Sequence, residues 1–258
     1  MHIPDGYLSP QTYIPFFGAF LAMMAVAVKK VKKEVPVRNI PYLGMASAFS
    51  FIIMMFNLPV PGGTTGHAVG SALIAIMFGP WAAMISVSVA LIIQALIFGD
   101  GGITAIGANC FNMAIFMPFV AYYTFRLLCG RYDKPLRTMI ASFFAGYISL
   151  VSAAILTGIE FGIQPLIASG ADGRPLYCPY DLKLAIPAMA IEHLLLFGIV
   201  EGLVTAFIVQ YFAKQQNREL FLLSQMEISR RIICGIAAHI FTKGCFSADS
   251  GPQDIDPR

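Results

Sequence analysis

An all-α integral membrane protein is what the sequence predicts: a bundle of seven transmembrane helices with the amino terminus outside and the carboxyl terminus in the cytoplasm. Three observations predict it. Of the 258 residues, 57% are apolar and only 12% charged, with a mean hydropathy of +0.73, which excludes an ordinary water-soluble domain. The apolar residues gather into stretches long enough to cross a hydrocarbon core of roughly 30 Å. When seven spans are drawn, all but two of the 17 Lys and Arg residues fall on one side of the membrane.

The first two spans cover residues 13–28 and 40–56. The next apolar stretch, 68–98, is too long for one helix and contains Gly79-Pro80. Proline removes a backbone donor and disfavours helix at the residue before it, so the stretch divides into a short helix over 67–78 and a longer one over 81–98. Spans at 105–128, 139–159 and 184–212 complete the set. Lys29, Lys30, Lys32, Lys33 and Arg38 then share the inner side with Arg126, Arg131, Lys134, Arg137 and the tail, while Arg174 and Lys183 lie outside. A six-span count would put the Lys29 and Arg126 clusters on opposite sides. Residues 1–212 form the membrane domain, and 213–258 a cytoplasmic polar tail whose Gly-, Pro- and Asp-rich end reads as disordered.

This topology brings four segments to the outer face: 1–10, 57–66, 99–107 and 160–183. They are also rich in glycine and proline, and irregular backbone at membrane depth requires protein or a polar cavity to satisfy it. The runs PGGTTGH (61–67) and GDGGIT (99–104) therefore suggest loops packed around a site. The five cysteines are odd in number and form no CxxC pair, so neither a disulfide framework nor a thiolate zinc site is indicated. MHIPDGYLSP at the start lacks a basic region and a small-residue cleavage site, so the mature chain is expected to begin at Met1.

Of the four histidines, His2 and His67 are expected on the outer side beside these loops. The amine of Met1, the peptide nitrogen of His2 and His2 Nδ1 can close adjoining chelate rings around one ion. A nitrogen from His67 would complete a square-planar set, the geometry of Ni(II) or Cu(II), with Co(II) also open; Zn(II) prefers a tetrahedral site and Ca(II) or Mg(II) prefer oxygens. Taken singly, His2 reads as a surface residue and His67 as a core histidine at a helix start; the combination carries the inference. Asp5, Asp100, Asn109 and Asn112 either hydrogen-bond the imidazoles and fix their tautomer, or serve as caps and turn formers.

Glu192, His193 and Glu201 lie in the last span, where ionisable groups mark functional positions. Uniform helical spacing puts Glu192 and Glu201 on opposite faces, one pairing inside the bundle and another meeting a partner subunit or a neighbouring span. Gly44 and Ala48 form a small-xxx-small pair, suited either to internal packing or to a partner helix. There is no GxxxxGK[ST] loop, so ATP-driven transport would need energy from another chain. An intramembrane metalloprotease would need a signature such as HExxH, also lacking. Basic residues confined to loops between spans report topology, not nucleic-acid binding.

MHIPDGYLSP, NLPVPGGTTGHAVG (57–70) and GDGGITAIGANCFNM (99–113) closely resemble the CbiM/NikM family, the substrate-specific S components of energy-coupling factor (ECF) transporters for cobalt and nickel. The resemblance extends from Met1 to about Phe212. It implies a seven-helix bundle and a metal held by the Met1 amine, the backbone and side-chain nitrogens of His2, and His67. It also implies a capture subunit that is not itself an enzyme, works with a transmembrane T component and an ATPase pair, and often has a small accessory membrane subunit. The opening motif looks more like the nickel branch than the cobalt branch. The alternative reading is a self-contained, proton-coupled secondary metal transporter using Glu192, His193 or Glu201.

Overall fold

The computed structural model describes residues 1–60, 64–130 and 135–214. Arg131, Lys134, residues 61–63 and all of the predicted tail beyond Lys214 lie outside the described residues. Among the described residues, six helices are long and apolar enough to cross a membrane: α1 (Pro10–Glu34), α2 (Val37–Met55), α4 (Pro80–Phe98), α5 (Ile106–Cys129), α6 (Pro135–Ile167) and α7 (Leu182–Lys214). Between α2 and α4 lie an antiparallel hairpin, β1 (Leu58–Val60) and β2 (Thr64–Gly66), and a short helix, α3 (Ser71–Phe78).

The break expected at Gly79-Pro80 is present. Gly79 takes φ +86, a conformation that side-chain-bearing residues avoid, and Pro80 opens α4 where its missing N–H is not needed. Two expectations change. Helix α3 begins at Ser71, not at His67, and its 8 residues rise only about 12 Å, too little to cross a bilayer alone. The chain is also not wholly helical, because the loop expected before His67 pairs as a hairpin, with Leu58 opposite Gly66 and Val60 opposite Thr64.

The late start of α3 has a visible cause. Residues 67–70 are wholly buried yet not helical, and their polar groups are satisfied sideways. Glu201 of α7 accepts the N–H of Val69 at 2.8 Å and of Gly70 at 3.0 Å. Ser50 of α2 donates to the Val69 carbonyl at 2.8 Å, and Ser71 donates to the Met113 carbonyl of α5 at 3.0 Å. Removing the Glu201 acceptor by Glu201→Leu orphans two buried donors at roughly 1–3 kcal/mol each. Thermal unfolding in detergent is expected to show a clear loss for Glu201→Leu and a smaller one for Glu201→Gln, which keeps an acceptor oxygen.

The bundle has two chemically different ends. Lys30, near the end of α1, stacks its Nζ 4.5 Å from the Trp81 ring at the start of α4. At the other end of α4, Asp100 reaches the second residue of the chain. Around the Lys30 end, Leu73, Ile76, Met77, Phe125, Ala141 and Val209 form an apolar cluster. Helices α6 and α7 approach closely at glycines: a Cβ on Gly146 would stand 3.1 Å from Gly202 Cα, and one on Gly158 3.0 Å from Ile186 Cα. Leu21, Ile52, Leu96, Leu195 and Phe207 are exposed, as expected of side chains facing lipid. Gly44 and Ala48 share this outward exposure, and a Gly44 Cβ would meet nothing within 4 Å among the described residues. Internal packing is therefore not what this pair does.

Three helices widen into π turns, Gln94–Phe98 in α4, Cys110–Phe116 in α5 and His193–Phe197 in α7. Each begins at or beside a buried polar residue: Gln94, Asn109 and Glu192 with His193. Such turns shift every later side chain around the helix axis. The opposite-face reading of Glu192 and Glu201 fails for that reason, since a π turn lies between them and both carboxylates are buried inside the chain.

Candidate metal centre

The four segments expected at one face do converge, and the amino-terminal segment is the piece they enclose. Asn109 clamps the Ile3 peptide from both sides, accepting its N–H at 2.8 Å and donating to its carbonyl at 3.1 Å. Gly102 N–H also donates to the Ile3 carbonyl at 2.8 Å. Asp5 accepts from the Ile103 and Thr104 N–H groups at 3.0 and 2.9 Å and from the Thr104 hydroxyl. Further along, Gln164 of α6 accepts from Ser9 N–H at 2.9 Å, and Cys178 N–H donates to the Tyr7 carbonyl at 3.1 Å. Ile3 and Leu8 are buried against Ala105 and Ala108, with Tyr13, Phe16 and Phe161 around them. Burying each aliphatic side chain contributes about 1.5–3 kcal/mol, so apolar contact and hydrogen bonding both hold the segment down.

This seating buries the first two residues against the hairpin. The Met1 amino group donates to the Thr65 carbonyl of β2 at 3.0 Å. The His2 and His67 rings stack with centroids 4.6 Å apart and planes inclined by 28°. His67 Nδ1 lies 3.1 Å from the Ala68 carbonyl, and a carbonyl only accepts, so the proton of this ring is on Nδ1 and the lone pair on Nε2. That lone pair faces His2 Nδ1 at 3.0 Å, and Asp100 Oδ1 lies 3.3 Å from the same nitrogen. One His2 Nδ1 proton thus sits between two acceptors.

Burial favours the neutral form of the amine and of both imidazoles. It lowers the Met1 amine from 8.0 to about 6, against the attraction of Glu192 and Asp100. His2 falls from 6.5 to about 3, through burial first and then the neighbouring amino group, with the Gln94 side chain beside it working the other way. His67 is pushed well below 6.5 by burial, by that amino group and by His2. Burial raises the Asp100 carboxyl, and the Met1 amino group opposes this. At neutral pH the amine and both imidazoles therefore present lone pairs.

The remaining candidates fall into place around this core. Asp100 alone of the four expected imidazole partners touches one. Asp5 ties down the loop at 103–104 and Asn109 holds the Ile3 peptide, while Asn112 donates to Thr157 and Glu160 at 3.1 and 2.9 Å. These three are corrections: their short polar side chains bond nearby backbone and side-chain groups, the alternative role for such residues, although Asn112 Oδ1 has no partner among the described residues. Glu192 Oε1 lies 3.2 Å from His193 Nδ1, which donates to the Met189 carbonyl at 2.8 Å. Both residues are buried and both act electrostatically on the centre, Glu192 on Met1 and His193 on His67. Two residues escaped the sequence reading. Gln164 and Gln94 are each fully buried, and a glutamine within an apolar span is a signal of the same kind as a buried charge. No group of three or more His, Cys, Asp or Glu side chains suited to an ion occurs among the described residues.

A helical bundle with lipid-facing exterior and a buried nitrogen cluster at one end defines a multi-pass membrane transport component of the cell membrane. The chain belongs to the CbiM family, described as the cobalt uptake substrate-specific transmembrane region, whose model matches residues 2–219. It is 48% identical over 221 residues to the fused nickel transport protein NikMN of Rhodobacter capsulatus, across 85% of this chain and 63% of that longer protein. It is 30% identical to the cobalt transport protein CbiM of Anoxybacillus flavithermus, across 87% of each chain. The crystal structure of a truncated transition metal transporter superposes with a TM-score of 0.79 at 49% identity, covering 83% of this chain and 99% of that one.

Proposed function

We propose that this chain is the high-affinity capture subunit for Ni2+ or Co2+ in an ECF-type, ATP-driven uptake transporter, with nickel preferred. The ion takes the Met1 amine, the ionised peptide nitrogen and Nδ1 of His2, and Nε2 of His67. The observation that carries this is the 3.0 Å approach of His67 Nε2 to His2 Nδ1. With metal–nitrogen bonds of about 2.0 Å, adjacent corners of a square are about 2.8 Å apart. An ion can therefore replace the shared proton with little movement. The higher identity to a protein named for nickel than to one named for cobalt supports the metal preference.

The same reading gives the chain seven passages between two membrane faces. The stretch from His67 through α3 counts as one of them, because α1 and α4 lie antiparallel with Lys30 against Trp81 at one end and Asp100 against His2 at the other. The amino terminus is then outside and the basic end cytoplasmic. Energy comes from an ATPase pair through a T component, with a small accessory membrane subunit, and the exposed Gly44 and Ala48 offer a close helix approach to the T component. In proteoliposomes, uptake should require the T component and ATPases. Uptake by this chain alone on a pH gradient would favour proton-coupled secondary transport instead.

Proton release tests the donor set directly. Above about pH 6 the Met1 amine is already free, so only the His2 peptide proton leaves, and affinity rises tenfold per pH unit. Below that value the amine must also lose its proton, and the slope doubles on a logarithmic scale. Neither imidazole adds a step there, since His2 takes a second proton only near pH 3 and burial pushes His67 well below its ordinary value. Calorimetric nickel titrations in buffers of different ionisation heat count these protons. A slope that stays flat with pH would rule out the peptide nitrogen as a donor.

A further inference from the structure

Among the described residues, Gln94 stands at the centre with both atoms of its side-chain amide unused. It is wholly buried at the start of the π turn of α4 and lies beside the His2 ring. Neither its Oε1 nor its Nε2 has a hydrogen-bond partner among the described residues, and the same holds for His2 Nε2. Two buried amide atoms left open are costly at roughly 1–3 kcal/mol each, and a π turn is a costly way to aim a side chain. Features of this kind persist where they serve a site.

The hydrogen bonds around His2 say what that service is. The Ala68 carbonyl fixes the His67 proton on Nδ1, so His67 Nε2 accepts from His2 and the His2 proton resides on Nδ1. An ion bound at His2 Nδ1 needs the opposite tautomer, with the proton on Nε2. That proton then requires an acceptor in a buried site, and the unpartnered amide of Gln94, whose side chain acts on the His2 ring, can supply one. Turned over, the same amide offers an N–H to the Nε2 lone pair. Glutamine is thus matched to both tautomers, as neither leucine nor glutamate is.

We propose that Gln94 is the positioning residue that sets the His2 tautomer, accepting the Nε2 proton on its Oε1 whenever Nδ1 is given to a divalent ion. This rests on the donor set proposed above and adds a residue to it. Partners of this kind tune affinity by about 10–100-fold.

The test uses the full chain in detergent, Ni2+ alone as the probe, and 15N chemical shifts of the His2 ring. In the wild type, nickel should move the His2 proton from Nδ1 to Nε2. Gln94→Leu should weaken nickel binding by about 10–100-fold, and Gln94→Glu should recover part of that loss while placing the proton on Nε2 even without nickel. Unchanged affinity in Gln94→Leu, or a His2 proton that does not respond to Gln94→Glu, would overturn the assignment. Should Gln94→Leu fail to fold, the wild-type shifts decide alone: a nickel-loaded His2 without its proton on Nε2 overturns it. A variant with one residue added before Met1 separates the two proposals. If that variant binds nickel like the wild type, the donor set itself is wrong; if it does not bind while Gln94→Leu does, only the role of Gln94 is lost.

Discussion

One extra residue ahead of Met1 is expected to abolish tight nickel or cobalt binding while leaving the helices in place. The added residue turns the amine into a peptide nitrogen, which offers a lone pair only after losing its own proton, and carries the free amine one residue away from the buried site. Four-donor sites bind with apparent energies of about 10–16 kcal/mol, so one donor is worth roughly 3–4 kcal/mol, or a 10²–10³-fold loss of affinity. A steric loss adds to this, because Met1 is only 3% exposed and its nitrogen is already against the Thr65 carbonyl. An apolar cluster at the opposite end, around Leu73, Phe125 and Val209, is untouched by the extension, so helical content should not change. Titration calorimetry beside circular dichroism separates the two effects. Wild-type affinity in the extended chain would show that the amine is not a donor.

The route to this site was legible because its elements are written locally. Apolar runs, a Gly-Pro break and basic loops predict the passages. A second-position histidine together with a glycine-flanked His67 predicts which ends meet. What escaped depends on contacts across the bundle. Nothing in the sequence around Ala68 says that Glu201 will take the Val69 and Gly70 N–H groups, yet that contact keeps the four residues after Gly66 out of helix. The π turns are equally hidden, since an extra residue in a turn leaves no local mark. Extrapolating an unbroken α period from Glu192 to Glu201 therefore put them on opposite faces. Asp5, Asn109 and Asn112 were recognisable as polar groups near the site but not as to partner, because a short amide or carboxylate bonds whichever backbone group packing brings to it. Asn109 found the Ile3 peptide, one residue beyond the imidazole it had been expected to reach.

That packing can be tested with a single methyl group. A Cβ on Gly102 would stand 2.4 Å from the Asp5 nitrogen and 2.7 Å from the Pro4 carbonyl carbon. Both are backbone atoms of a segment fixed by the Asn109 clamp and the Thr104 bonds, so no flexible side chain can yield. In Gly102→Ala the segment must lift, and the bond from Gly102 N–H to the Ile3 carbonyl is strained or lost. Overpacking of this kind costs about 1–3 kcal/mol. Because the displaced residues adjoin His2, most of that cost should appear in metal affinity, as roughly a 10–100-fold loss by calorimetry. Gly18→Ala in α1 is the matched control: nothing lies within 4 Å of its Cβ position, and neither binding nor thermal stability should fall. If Gly102→Ala bound nickel as tightly as Gly18→Ala, the donors would be placed by the ion itself and not by the loop that grips Ile3 and Asp5. The close approach of glycine to the amino-terminal backbone would then be a matter of stability alone.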